Sequence, residues 1–236
     1  MTEAIVFDKD GTLFDFRATW TAWAETMLDE LAGGDAAQRS AVAEAMGFQP
    51  GVGFLPTSVV IAGTSGEVGA ALASATNRTA RELEALANRV AEATPQVQVP
   101  GLAETLAVLA ERHLLGLVTN DGEAAARTHL SGVGIARHFA FVAGYDSGYG
   151  AKPDPGPLLA FSKATGTRPE RTLMVGDSRH DLAAGRAAGM STIAVLTGVA
   201  VAEDLADLAD AILPDISHLP GLIAARSAAE SSAYDT

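Results

Sequence analysis

The sequence predicts an α/β fold, in which a doubly wound parallel-sheet core is interrupted early by an inserted helical unit. Two observations carry this expectation. Short apolar segments at residues 5–7, 114–118, 141–143, 173–175 and 192–196 are mostly followed by Gly, Asp or Thr and then a helical pattern. Residues 15 to about 96, in contrast, show helical periodicity and no convincing strand. Alternating strands and helices make a parallel sheet covered on both faces, with ligands bound at the carboxyl ends of the strands. The expected organisation is a core of residues 1–14 and 97–236 and a helical insertion of residues 15–96.

Taken in order, residues 5–7 run straight from the N-terminus into a strand pattern. In the insertion, Trp20, Trp23, Met27, Leu28 and Leu31 form one helical stripe, and Leu83, Leu86 and Val90 form another. Core packing is the ordinary role of both tryptophans. Three helix starts read as capping boxes: Asp35 with Gln38, Thr64 with Glu67, and Thr79 with Glu82. Residues 49–56, rich in Gly and Pro, predict an irregular loop. The Gly-x-Gly pairs at 132–134 and 148–150 do not sit in a dinucleotide-loop pattern and read as turns. Residues 227–236, small and polar without an apolar period, predict a frayed tail.

Composition narrows the chemistry. With no cysteine, disulfides, thiolate metal sites and a cysteine nucleophile are all excluded, so reactive groups must be oxygen or nitrogen. The net charge of −13 disfavours nucleic acid and acidic membrane surfaces. No apolar run reaches membrane-spanning length and no leader pattern precedes the first strand, so a cytoplasmic location with no membrane partner is expected. An anionic substrate would need a local cation to offset this field.

The candidate site residues lie just beyond strand segments. Asp8 and Asp10, in Asp8-Lys9-Asp10-Gly11-Thr12, are two residues apart and can face the same way, with Lys9 pointing elsewhere. Such a pair can divide nucleophilic attack from proton transfer, although a turn or a calcium loop would use the same residues. Gly176-Asp177-Ser178-Arg179-His180-Asp181 places a second acidic pair where a strand gives way to a helix, where capping is the alternative use. Carboxylates gathered at strand ends repel unless a cation joins them, and magnesium suits an all-oxygen set. Lys152, held between Gly150 and Pro153, offers a compensating charge; a solvated surface lysine is the ordinary alternative. Thr119 and Asn120 end another strand, where a turn or a phosphate-holding hydroxyl and backbone N–H groups both fit.

In this order the segments resemble the haloacid dehalogenase superfamily, specifically its phosphoglycolate phosphatase-like branch. The DxDGT pattern is met at Asp8, Asp10, Gly11 and Thr12, the threonine motif at Thr119, the lysine at Lys152, and GDxxxD at Gly176, Asp177 and Asp181. The insertion looks like the family's mobile cap. The resemblance implies that Asp8 attacks phosphorus and that Asp10 protonates the leaving alcohol, then activates water. It assigns Mg2+ to the Asp8 carboxylate, the Asp10 carbonyl and the Asp177 carboxylate, with Asp181 supporting, and the phosphoryl group to Thr119, Asn120 and Lys152. A small phosphorylated metabolite is the implied partner; no oligomeric state is implied.

Competing activities leave other marks. A phosphonate-cleaving relative needs a cap lysine, and no lysine occurs from Asp10 to Gly150. A phosphomutase of the superfamily uses His and Lys near the cap, and no histidine precedes His113. A receiver module is shorter, orders its acids and lysine differently and lacks a cap, and a metal-retaining scaffold would not need the complete motif set. Arginines are the only cap cations; of Arg17, Arg39, Arg78, Arg81 and Arg89, Arg17 lies nearest the acidic motif and is the candidate reader of a substrate carboxylate.

Overall fold

The computed structural model describes residues 2–234, without the side chains of 230–234. Strand β1 (Ala4–Phe7) leads into four helices, α1 (Phe16–Ala32), α2 (Ala36–Met46), α3 (Ser65–Ala73) and α4 (Ala80–Ala93). A short antiparallel hairpin, β2 (Phe48–Gln49) with β3 (Gly53–Phe54), lies between α2 and α3. The chain continues through α5 (Leu102–Ala110), β4 (Leu114–Val118), α6 (Glu123–Gly132), β5 (Phe139–Ala143) and α7 (Gly156–Thr165). It ends with β6 (Thr172–Gly176), α8 (Arg179–Ala187), β7 (Ser191–Val195), α9 (Ala202–Leu205), β8 (Ala211–Leu213) and α10 (Leu219–Tyr234).

Six strands form one parallel sheet in the order β5-β4-β1-β6-β7-β8. The chain leaves β1 toward β4 on one side and returns to β6 on the other, so the strand order switches direction at β1. That reversal opens a crevice at the carboxyl ends of β1, β4 and β6. β1 is buried on both faces, with Ile5 and Phe7 in one apolar cluster and Ala4 and Val6 in another. This is why it reads as a continuous apolar run rather than an alternating one.

The helices of residues 16–93 bury a cluster of their own around Trp23, Met27, Leu28, Met46, Leu72, Leu83 and Leu86. Trp23 is fully buried and its indole N–H donates to the Ala87 carbonyl at 3.1 Å. Both Thr64 and Thr79 close reciprocal capping boxes with Glu67 and Glu82. Asp35 also caps its helix, but Gln38 does not complete a box: its amide donates instead to the Ala75 carbonyl at 2.6 Å.

Three local features differ from the sequence expectation. The 49–56 segment carries the β2–β3 hairpin, because the Phe48 and Phe54 rings pack together at 4.9 Å across it. β8 was not expected; at three residues it is too short to show a strand pattern, and it pairs only with β7. Helix α10 runs to Tyr234 through much of the segment expected to fray, where exposed Ala228 and Ala229 continue the alanines 224 and 225 and favour helix without packing. Residues 235 and 236 of that expected tail lie outside the described residues. Among the described residues, no helix is long and apolar enough to cross a membrane.

Candidate active site

Asp8 extends the β1 ladder by one hydrogen bond, its N–H donating to the Val175 carbonyl at 2.9 Å, and then the chain turns at Gly11 with φ +79°. A side chain there would be strained, and its Cβ would fall within 2.8 Å of the Asp177 carboxyl atoms. Gly198, in the loop after β7, approaches the same carboxylate too closely for any Cβ. Thr197 of that loop donates to the Gly11 carbonyl at 2.5 Å. The two glycines thus let Asp177 lie directly against the Asp8-to-Thr12 turn.

Asp177 follows β6, and Asp181 sits in the first turn of α8. The two proposed uses of Asp181 turn out to be divided between its oxygens. Oδ2 accepts from the Ser178 N–H at 3.0 Å and hydroxyl at 2.7 Å, closing a capping box, while Oδ1 pairs with Lys152 Nζ at 2.6 Å. Lys152 is buried rather than a surface charge. Its ammonium also donates to Asp8 Oδ1 and, at 2.9 Å, to the Val118 carbonyl, so all three protons are placed. Carboxylate oxygens of Asp8, Asp177 and Asp181 come within 4.8 Å of one another.

Buried together, these acids shift strongly. Burial, only partly offset by Lys152 and reinforced by Asp181 and Asp10, pushes the Asp8 carboxyl up to about 7. Asp177 is raised well above the ordinary carboxylate range by burial and then by the charges of Asp181 and Asp8. Burial alone would lower Lys152, but Asp181 and Asp8 outweigh it and hold the ammonium charged. Five carboxylates, Asp8, Asp10, Asp121, Asp177 and Asp181, line the cavity here with only one lysine among them. A grouping of hard oxygen donors with excess negative charge fits a divalent cation.

Asp10 faces the same cavity. Its Oδ2 pairs with Lys9 Nζ at 3.1 Å, whereas Oδ1 is buried without a partner among the described residues. Lys9 does point away from the cavity, as the strand alternation requires, but into a buried network that the sequence did not reveal. Its ammonium donates to Asp121 at 2.8 Å and lies 2.9 Å from His129 Nδ1. His129 in turn places Nε2 2.9 Å from the Ala91 carbonyl of α4, joining the network to the helical insertion. Burial, followed by the charge of Lys9, lowers the His129 pKa, consistent with a neutral ring accepting from the ammonium at Nδ1.

Thr119 lines the cavity, and its hydroxyl oxygen accepts from the Asp121 N–H at 3.1 Å, leaving its proton able to donate. Asn120 lines the cavity too, yet its side chain is fully engaged elsewhere. The amide donates at 2.8 Å to both the Ala62 and Lys152 carbonyls and accepts from the Lys152 N–H at 2.9 Å. It positions Lys152 and fastens the 62-region of the insertion to the core. Arg17 is not brought to this cavity. It is exposed on α1 and lines a separate crevice with Thr21, Val52 and Val199. Arg39 pairs with Asp29 and Glu25 on the surface.

A Rossmann-like sheet with paired acids beyond β1 and β6, a lysine beyond β5 and a helical insertion after β1 defines a class of hydrolase. Residues 5–195 match the family description "Haloacid dehalogenase-like hydrolase", and the chain belongs to that family. It is 33% identical over 223 residues to a phosphoglycolate phosphatase of Rhodospirillum rubrum, covering 89% of this chain and 90% of that protein. The fold is shared with the structure of a predicted phosphoglycolate phosphatase from Haemophilus somnus 129pt, at TM-score 0.71 and 21% identity, over 94% of this chain and 98% of that one. It is also shared with a 2-haloacid dehalogenase from Pseudomonas syringae pv. Tomato DC3000, at TM-score 0.63 and 24% identity, over 95% and 99% of the two chains. Since this fold carries both names, the choice of reaction rests on the site residues.

Proposed function

We propose that this chain is a magnesium-dependent phosphatase that hydrolyses a small phosphate monoester through an aspartyl-phosphate on Asp8, with residues 15–96 acting as the cap over a core of 1–14 and 97–236. The observation that carries this reading is the grouping of Asp8 with Asp177, Asp181 and Lys152 beside an Asp10 oxygen that has no partner. The Asp8 and Asp177 carboxylates and the Asp10 carbonyl would hold the metal, with Asp181 in support. Bound there, Mg2+ would neutralise charge on the phosphoryl oxygens.

The chain's own residues account for the remaining chemistry. An Asp8 oxygen attacks phosphorus as the bond to the leaving alcohol breaks, and Asp10 gives that alcohol a proton through its unpartnered oxygen. Asp10 then takes a proton from water, whose oxygen attacks phosphorus and frees Asp8. Lys152 and the Thr119 hydroxyl hold the phosphoryl oxygens, so catalysis rests on positioning and charge. Enclosure by the cap excludes bulk water, and the names of the relatives put phosphoglycolate among the first substrates to assay. Hydrolysis of an aryl phosphate that requires Mg2+ and stops on chelation supports the reading; no turnover with any divalent metal would reject it and favour a metal-retaining scaffold.

A further inference from the structure

The cavity above Asp8 has two unlike halves. Its floor is charged, whereas the side contributed by residues 16–87 presents Phe16, Trp20, Trp23, Val60, Ile61 and Val68 and no charged side chain. Among the described residues that line it, Lys152 is the only lysine or arginine, and on the phosphatase reading it is committed to the phosphoryl group beside Asp8 and Asp181; the other basic side chain is the exposed His180 at the start of α8, on the core side. Arg17 lies outside. At the nearby start of α3 the capping box engages the Thr64 and Glu67 N–H groups, and the Glu67 carboxylate, which accepts from the Thr64 N–H at 2.7 Å, places a negative charge at that helix end. A carboxylate on the substrate that points to the side of residues 16–87, away from the phosphate and metal, would therefore meet apolar walls with no charged side chain to pair it.

One buried side-chain donor on the apolar side lacks a partner among the described residues. The Trp20 indole N–H is buried and unbonded, unlike that of Trp23, which donates to Ala87. A buried donor left unpaired is costly, and a ligand acceptor would satisfy it. The space there open to water-sized groups is about 40 Å3, which favours a compact alcohol.

From this geometry we infer that the substrate is the phosphate ester of a small uncharged alcohol, with an apolar face for Trp20, Ile61 and Val68 and one acceptor for the Trp20 N–H. The inference rests on the phosphatase reading and narrows it against acid-bearing esters, phosphoglycolate included. Specificity would then come from Trp20 and Ile61 of the cap, since the core floor recognises only phosphate and metal.

The test compares steady-state kinetics of the Mg2+-loaded full chain on 2-methoxyethyl phosphate, propyl phosphate and phosphoglycolate. The methoxyethyl ester should exceed phosphoglycolate at least tenfold in kcat/KM, mainly through KM. Trp20→Phe, which keeps the ring but removes the donor, should narrow the methoxyethyl-to-propyl ratio at least threefold. Ile61→Arg should raise phosphoglycolate relative to methoxyethyl phosphate about tenfold by supplying the missing cation. Equal or better use of phosphoglycolate by the unaltered protein overturns the inference while leaving the phosphatase reading intact. Failure to hydrolyse any of the three esters, or an aryl phosphate, removes both.

Discussion

Replacing Lys9 with methionine removes a buried ammonium at nearly constant length, and the structure sets what is left behind. Asp121 at 2.8 Å and Asp10 at 3.1 Å lose their shared counter-charge, and the His129 ring 2.9 Å away loses the donor at Nδ1. Asp121 keeps one bond, from the Gly122 N–H at 2.7 Å, which does not neutralise it. Removing one partner of a buried pair costs about 3–5 kcal/mol, because the other charge stays enclosed. For a domain of this size that corresponds to a fall in Tm of roughly 6–20 °C. Lys9→Met/Asp121→Leu should recover a large part of the loss, since the orphaned charge goes with its partner. Urea or thermal unfolding of the two single variants and the double variant closes the cycle. A Lys9→Met loss under about 1 kcal/mol, or a double variant worse than the sum of the singles, would refute the claim that Lys9 is held by these acids.

Further expectations follow from the same geometry. Asp8→Asn should lower kcat at least a thousandfold, about 4 kcal/mol in barrier, while keeping the fold by circular dichroism; activity within tenfold of the parent contradicts the assignment. Asp10→Asn should harm esters of basic alcohols more than activated aryl esters, and equal losses would show that Asp10 acts through structure or metal. Gly11→Ala places a Cβ against Asp177 at φ +79° and should cost about 1–3 kcal/mol with weakened Mg2+ dependence; a neutral effect in denaturation and metal titration would reject that packing. Asp8 is raised to about 7, so in the metal-free protein its ionisation opposes folding: the cost is absent below its ordinary value of 3.8 and is complete above about 7. Mg2+ should therefore raise Tm more at pH 8 than at pH 5, and the reverse order in a thermal-shift series contradicts the buried-acid account.

The acids and Lys152 were legible because each follows a short apolar strand, and in a parallel sheet strand ends converge wherever the insertion lies. Residues whose placement depends on helix rotation were not. Arg17 and Trp20 are three residues apart on α1, yet Trp20 lines the cavity and Arg17 does not. Asn120 was visible as a strand-end amide, but its engagement with Ala62 and Lys152 depends on contacts across 58 and 32 residues. Lys9, Asp121 and His129 were hidden for the same reason: the contacts span 112 and 120 residues, and a lysine between two aspartates gives no hint that it is buried. β8 escaped notice because three residues show no period.

The account turns on a covalent bond between Asp8 and phosphorus. Rapid acid quenching of the Mg2+-loaded protein with phosphate-labelled substrate tests it directly. The expected result is label on the protein in a hydroxylamine-sensitive acyl linkage, formed before free phosphate accumulates and absent from Asp8→Asn. Full-rate release of phosphate with no labelled protein at any time point, or the same label in Asp8→Asn, would contradict it.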